Sequence, residues 1–217
     1  MKFKYIFISI ALLFTNVSFA QFKVGVEAGP VFSTFRECEN NADSKVGFKL
    51  GILGDYTFSK ILRVGTGISY AQKRVMFANM PKSSHPNIDK LDARARYLEI
   101  PVTVGVIAKV TDNINVVPKA GVYTNIGLNS SYADATNKDG SITRIEIFRN
   151  LRNGEIRNNY FEKYDFGVIL GIDFNFYERF AISASYNKGF NTMYEMYIPD
   201  PNSKTLNITF AYYFFRK

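Results

Sequence analysis

One cysteine, one histidine and no tryptophan occur in 217 residues. A single thiol, Cys38, excludes an internal disulfide framework. One cysteine with one histidine leaves little for a zinc site, so neither a metal nor a cofactor is expected. Long apolar runs are missing too: beyond residue 20 nothing approaches the roughly 18 consecutive apolar residues that a spanning helix needs. Yet hydrophobic residues make up 47% of the chain, and the mean hydropathy is −0.09. Apolar side chains are therefore plentiful but interleaved with polar ones, which excludes a disordered tail, a collagen and a helical membrane protein.

The first 20 residues read as an address. Lys2 and Lys4 precede an apolar stretch over 5–14, and Ser18-Phe19-Ala20 presents small residues at the two positions a signal peptidase reads. The expected organisation is a signal peptide over 1–20 and one outer-membrane β-barrel domain over 21–217. Losing Lys2 and Lys4 lowers the formal net charge from +8 to +6.

From Gln21 onward the dominant period is two. Phe22, Val24, Val26 and Ala28 alternate with Lys23, Gly25, Glu27 and Gly29, and the same pattern recurs over 45–52, 62–71, 98–109, 114–128, 165–176, 180–187 and 206–214. That predicts eight strands, each with one bulky apolar face and one face of glycine, serine, asparagine and isolated charge. Alternation alone does not say which face points outward. Size does: the interior of an eight-stranded barrel is just wide enough for side chains to fill, which suits small residues with a few paired charges. The bulky face then lies outside, which only lipid tolerates. The expected fold is all-β, an eight-stranded antiparallel up-and-down transmembrane barrel.

Connection lengths agree. Short links fall at 58–60, 111–113 and 177–178, and long ones at roughly 34–44, 74–96, 130–160 and 191–203. Strict alternation of long and short, beginning with a long one, predicts both termini in the periplasm. Tyrosine and phenylalanine gather near strand ends, as an interfacial girdle would.

Tyr97-Leu98-Glu99-Ile100-Pro101-Val102 resembles the Y-L-E-I-P segment of the PorT-like outer-membrane β-barrel family. Val24-Gly25-Val26-Glu27-Ala28-Gly29 is similar to its opening strand, and Tyr164-Asp165-Phe166-Gly167 with Leu170-Gly171 to its penultimate region. The resemblance implies an eight-stranded barrel in the outer membrane of a Gram-negative bacterium. Some members of that family are associated with type IX protein secretion, so a link to secretion is implied as well.

Glu99 falls on the lumen face, where an unpaired carboxylate is costly. Lys119, Arg63 and Lys23 are its candidate partners, in a structural rather than a catalytic role. Pro101 in the same strand cannot donate a ladder hydrogen bond, so a bulge or local irregularity is expected. No catalytic residue is expected. A lipid A-modifying enzyme would have to use His85, but His85 lies in an outer loop beside Pro86, and Ser69 or Ser185 would need that loop folded inward. The same alternation would also suit a narrow pore, or a soluble barrel with inverted faces for hydrophobic ligands.

The loops carry the interest. Lys73, Arg74, Lys82, Lys90, Arg94 and Arg96 face only Asp89 and Asp92 over 73–96. Such a rim suits phosphates of lipopolysaccharide, or is a solvated surface. In loop 130–160, Asn153-Gly154 predicts a hairpin standing above the membrane and carrying Arg144, Arg149, Arg152 and Arg157, a surface for a protein partner. Nucleic acid is excluded, because no motif or helix presents the charge. The aromatic end Tyr212-Tyr213-Phe214-Phe215 resembles the signal read by the barrel-assembly machinery. A monomeric barrel is expected.

Overall fold

The computed structural model describes residues 21–34, 42–58, 60–78, 88–148, 163–192 and 202–216. Its elements are β1 (Gln21–Thr34), β2 (Ala42–Thr57), β3 (Leu62–Ala78), β4 (Ile88–Val106), β5 (Ala108–Lys109), β6 (Ile114–Gly127), β7 (Tyr132–Asn137), β8 (Ile142–Glu146), β9 (Tyr164–Phe176), β10 (Phe180–Thr192) and β11 (Asn202–Arg216). Eight of these, β1-β2-β3-β4-β6-β9-β10-β11, form an antiparallel ring in chain order. The last strand pairs with the first from Lys23↔Arg216 to Thr34↔Lys204, so the sheet closes. Closure satisfies the backbone groups that hydrocarbon cannot.

The faces follow the alternation. Ile52, Ile68, Val122, Leu170 and Phe210 point outward and expose more than half of their surface, while Ser69, Glu99, Asn125 and Thr209 point inward and are buried. An exterior this apolar is incompatible with water and suited to lipid. Inward glycines let neighbouring strands approach: a Cβ at Gly29 would collide with the Ile208 carbonyl oxygen. Pro101 makes no bulge, contrary to one reading of its place in the strand. The β3–β4 pairing lapses at Gly67–Ile68 opposite Ile100–Pro101 and resumes in the same register, with Thr66 Oγ1 donating to the Pro101 carbonyl at 2.9 Å.

The two ends differ. Short turns join β2 to β3, β5 to β6 and β9 to β10 at the end that carries the termini, here the terminal rim. At the distal rim β4 outruns β6. Its edge pairs with β6 as far as Tyr97↔Gly127, and beyond that β7 takes over from Arg94↔Tyr132, with β8 outside β7. The turn expected at Asn153-Gly154 lies outside the described residues, and β7 with β8 forms another hairpin, which turns at 138–141. Asp139 and Gly140 supply that turn: Gly140 adopts φ +84°, and Ser141 donates to Asp139 Oδ1 from its N–H at 2.9 Å and its Oγ at 2.6 Å.

The lumen is a polar core in three layers. Near the terminal rim Arg63 bridges Asp173 and Asp55, Lys119 Nζ lies 2.7 Å from Asp173 Oδ1, and Tyr213 donates to Asp55 Oδ2 at 2.6 Å. In the middle Lys49 Nζ stands 2.9 Å from both Glu27 and Glu99. Towards the distal rim Lys73 pairs with Asp165 at 3.4 Å, and Tyr123 and Asn125 donate to the same carboxylate. Above that layer Phe148 packs edge-on against Tyr97 at 5.5 Å and covers Gly127, where a Cβ would meet its ring at 2.8 Å. Leu91, Ala93 and Ala95 on β4, Ala133 and Ala135 beside them on β7, and Ile147 are buried too, so the distal end of the core is apolar.

Glu99 therefore pairs with Lys49, and not with Lys119, Arg63 or Lys23. The register supplies the reason. Glu99 on β4 lies opposite Ser69 on β3, and Ser69 lies opposite Gly51 on β2. These small residues leave room for Lys49 to reach across β3. Lys119 is drawn to Asp173 on the adjoining strand β9, and Lys23 stands opposite Asp55 in register at the terminal rim without a salt bridge among the described residues. A cavity of about 70 Å³ remains between the middle and terminal layers. At roughly 10–15 Å³ per water centre it has room for a few waters.

The lumen pairing and the β9–β10 turn can each be tested. Lys49→Met leaves Glu27 and Glu99 buried without a cation and lowers stability by about 3–5 kcal/mol, part of which Lys49→Met/Glu99→Gln recovers. Urea unfolding in detergent measures both, and an unchanged midpoint for the single variant contradicts the layer's role. At the β9–β10 turn, Tyr177 and Glu178 adopt φ of 50° and 57°, values costly for residues with a Cβ. Tyr177→Asn, a residue that tolerates this region, raises the same midpoint by about 0.5–1 kcal/mol equivalent; a lowered midpoint contradicts the strain.

Candidate functional site

Even-numbered residues of β4 face outward, and Leu98 is the last apolar one before the chain passes the distal rim. The outward positions that follow are Arg96, Arg94, Asp92 and Lys90. Pairing with β3 brings Arg74 directly opposite Arg94, and pairing with β7 sets Tyr132 and Asp134 beside Arg94 and Asp92. Arg144 on β8 lies opposite Asp134. Residues from two loops that looked separate in sequence thus share one outward face above the apolar belt.

Tyr132 is its centre. The Cζ atoms of Arg144, Arg96 and Arg94 lie 4.2, 5.1 and 5.4 Å from its ring centroid. Guanidinium groups stack well on aromatic faces, so one tyrosine gathers three like charges. The carboxylates limit their repulsion. Arg74 grips Asp92 with two donors at 3.1 and 2.6 Å, Arg94 reaches Asp92 at 3.4 Å and Asp134 at 4.0 Å, and Arg144 Nε donates to Asp134 at 2.9 Å. Burial pushes the Asp92 carboxyl up, but the Arg74 hydrogen bonds and the charges of Arg74 and Arg94 outweigh it and hold the group below the usual carboxylate range. Asp92 is therefore ionised at neutral pH, and its contribution to the face fades only in strong acid, as pH falls through that lowered value.

Four arginines stand against three carboxylates, Asp92, Asp134 and Glu146, the last opposite Tyr132 on β8, and leave a net charge of +1 around Tyr132. Lys90 adds an exposed cation further out. Of the expected loop contacts, Arg74, Lys90, Arg94, Arg96 and Arg144 fall on this sheet, while Lys82, Arg149, Arg152 and Arg157 lie outside the described residues, as do His85 and Cys38. Tyr132 and Asp134 were missed as site residues. Their signal was present as a fresh period of two, Tyr132, Asp134 and Thr136 against Ala133 and Ala135. Ser69 Oγ donates to Glu27 and Ser185 Oγ accepts from Asn207, so both lumen serines have structural partners.

Residues 19–195 match the outer membrane protein beta-barrel domain family. No curated protein matches the chain. Among solved structures it is similar to Ail, the attachment invasion locus protein of Yersinia pestis, at 18% identity and a TM-score of 0.46 over 90% of this chain and 98% of that one. It is also similar to Neisserial surface protein A, at 12% identity and a TM-score of 0.43 over 89% and 97% of the two chains. A third is OprG of Pseudomonas aeruginosa, at 13% and 0.43 over 90% and 95%. The chain belongs to the outer membrane protein β-barrel domain family.

Proposed function

We propose that this protein is a non-catalytic interaction barrel whose distal arginine–tyrosine face holds phosphate groups of lipopolysaccharide. The observation that carries the reading is convergence: Arg74, Arg94, Arg96 and Arg144, drawn from three strands, gather around Tyr132 immediately above the apolar belt. Head-group phosphates lie at that height, and guanidinium is the side chain best suited to them. The short turns at the terminal rim support termini in the periplasm, reached by export on a leader over 1–20. The distal rim then faces outward, into the lipopolysaccharide leaflet.

Against catalysis and conduction stand the paired lumen charges, the small cavity and the Phe148 cap. The Y-L-E-I-P segment over 97–101 supports a place in the PorT-like branch, and with it a link to protein secretion. The β7–β8 hairpin is then the part of loop 130–160 offered to a protein partner. The aromatic end over 212–215 suits recognition by the barrel-assembly machinery during insertion.

The full-length protein, purified in detergent, is exchanged into nanodiscs of phosphatidylethanolamine doped with either lipopolysaccharide or phosphatidylglycerol at matched charge. Wild type is expected to retain lipopolysaccharide preferentially, and Arg74→Gln/Arg94→Gln/Arg96→Gln/Arg144→Gln to lose the preference while still running as a folded barrel. Equal retention of the two lipids by wild type overturns the reading.

A further inference from the structure

The hydrogen-bond donors of the distal face separate its arginines into two kinds. Arg74 commits Nε and Nη2 to Asp92, and Arg94 commits Nη1 to the Tyr132 hydroxyl at 2.8 Å and Nη2 to Asp92. These two fasten β3, β4 and β7 together. Arg96 gives only Nη1, to the Ser130 carbonyl at 2.7 Å, and Arg144 gives only Nε, to Asp134, among the described residues. A guanidinium carries five N–H donors; Nε of Arg96 is buried, so its available donors are on its Nη atoms, as are those of Arg144. Both stack on Tyr132, which holds two partly committed forks around one ring.

We infer that Arg96 and Arg144 form a clamp for one phosphate monoester, held without a bridging divalent cation. The inference rests on the anion-binding reading of this face and names its ligand chemistry. The face keeps a positive excess, four arginines against Asp92, Asp134 and Glu146, which suits an anion. Height favours it as well, since Arg96 sits one outward position above Leu98 while Arg144 stands on the hairpin above. A phosphate rising from the membrane surface meets Arg96 first, and Arg144, more exposed than Arg74 and Arg94 though paired through Nε with Asp134, closes over it.

The absence of metal follows from the carboxylates. A divalent cation bridging protein to phosphate needs oxygen ligands from the protein. Asp92 is engaged by Arg74 and Arg94, and Asp134 by Arg144 and Arg94. Glu146, opposite Tyr132 on β8, is the further carboxylate of this face, and the guanidinium groups gathered on that tyrosine oppose a divalent cation beside it and take its place.

The test uses the full-length protein in detergent with two probes, dispersed lipopolysaccharide and inorganic phosphate, each with and without EDTA. The variants are Arg96→Gln/Arg144→Gln and the charge-preserving Arg96→Lys/Arg144→Lys, each checked for a folded band on unboiled gels. Expected are wild-type binding unaffected by EDTA, an affinity loss of about tenfold or more in the glutamine variant, and a smaller loss in the lysine variant, which keeps charge but lacks the fork. Lipopolysaccharide binding that EDTA abolishes overturns the metal-free clamp. Lipopolysaccharide binding that both variants retain in full overturns the assignment to Arg96 and Arg144 and leaves the lipopolysaccharide reading standing on Arg74 and Arg94. Phosphate binding with the expected variant pattern, but none to lipopolysaccharide, upholds the clamp and overturns the lipid as its source.

Discussion

Lys49 between Glu27 and Glu99, and Asp173 between Arg63 and Lys119, are what allow a closed ring of eight strands to keep its charged faces inward. Lipid outside demands the bulky apolar face there, and a period of two then sends every alternate residue into a lumen too narrow for bulk water. A charge placed in such a space is tolerable only with a partner. Each cation of the three layers has one, and each layer joins strands that are not sheet neighbours. The polar core therefore ties opposite walls together as an apolar core does in a soluble domain.

The same alternation, carried past the rim, produces the outward site. β4 is 19 residues long, and β6 ends at Gly127, so the upper edge of β4 must find another partner. β7 supplies it. Inward, the extension presents Leu91, Ala93 and Ala95, buried like Ala133 and Ala135 on β7, while Phe148 packs on Tyr97. Outward, it presents Arg96, Arg94 and Asp92. Closing the lumen and building the arginine–tyrosine face are thus two sides of one strand extension, and a change in the length of β4 disturbs both.

The ring and its facing were legible in sequence because a period of two is a local signal. Phe22 through Gly29 already separate an outward from an inward set, and the structure keeps that separation on every ring strand. Pairing across the lumen was not legible. That Glu99 meets Lys49 depends on register over three strands and on the small volume of Ser69, neither of which is written near Glu99. The β7–β8 hairpin was not foreseen, although Asp139-Gly140 is a turn signal; Asn153-Gly154 drew the reading to a second hairpin, whose turn lies outside the described residues. Arg74, Arg94, Arg96 and Arg144 were visible as charges. Their convergence was not, since it needs Tyr132, whose role appears only once β7 is laid against β4.

The central claim is that the apolar face points outward into lipid and the charged face into a closed lumen. Gel mobility of the protein from a detergent-solubilised outer-membrane fraction, with and without boiling, tests it most directly. A compact, fast-running unboiled band that slows on boiling is the predicted result. A band that does not shift, with the protein recovered in the soluble periplasm, contradicts the claim and inverts the faces.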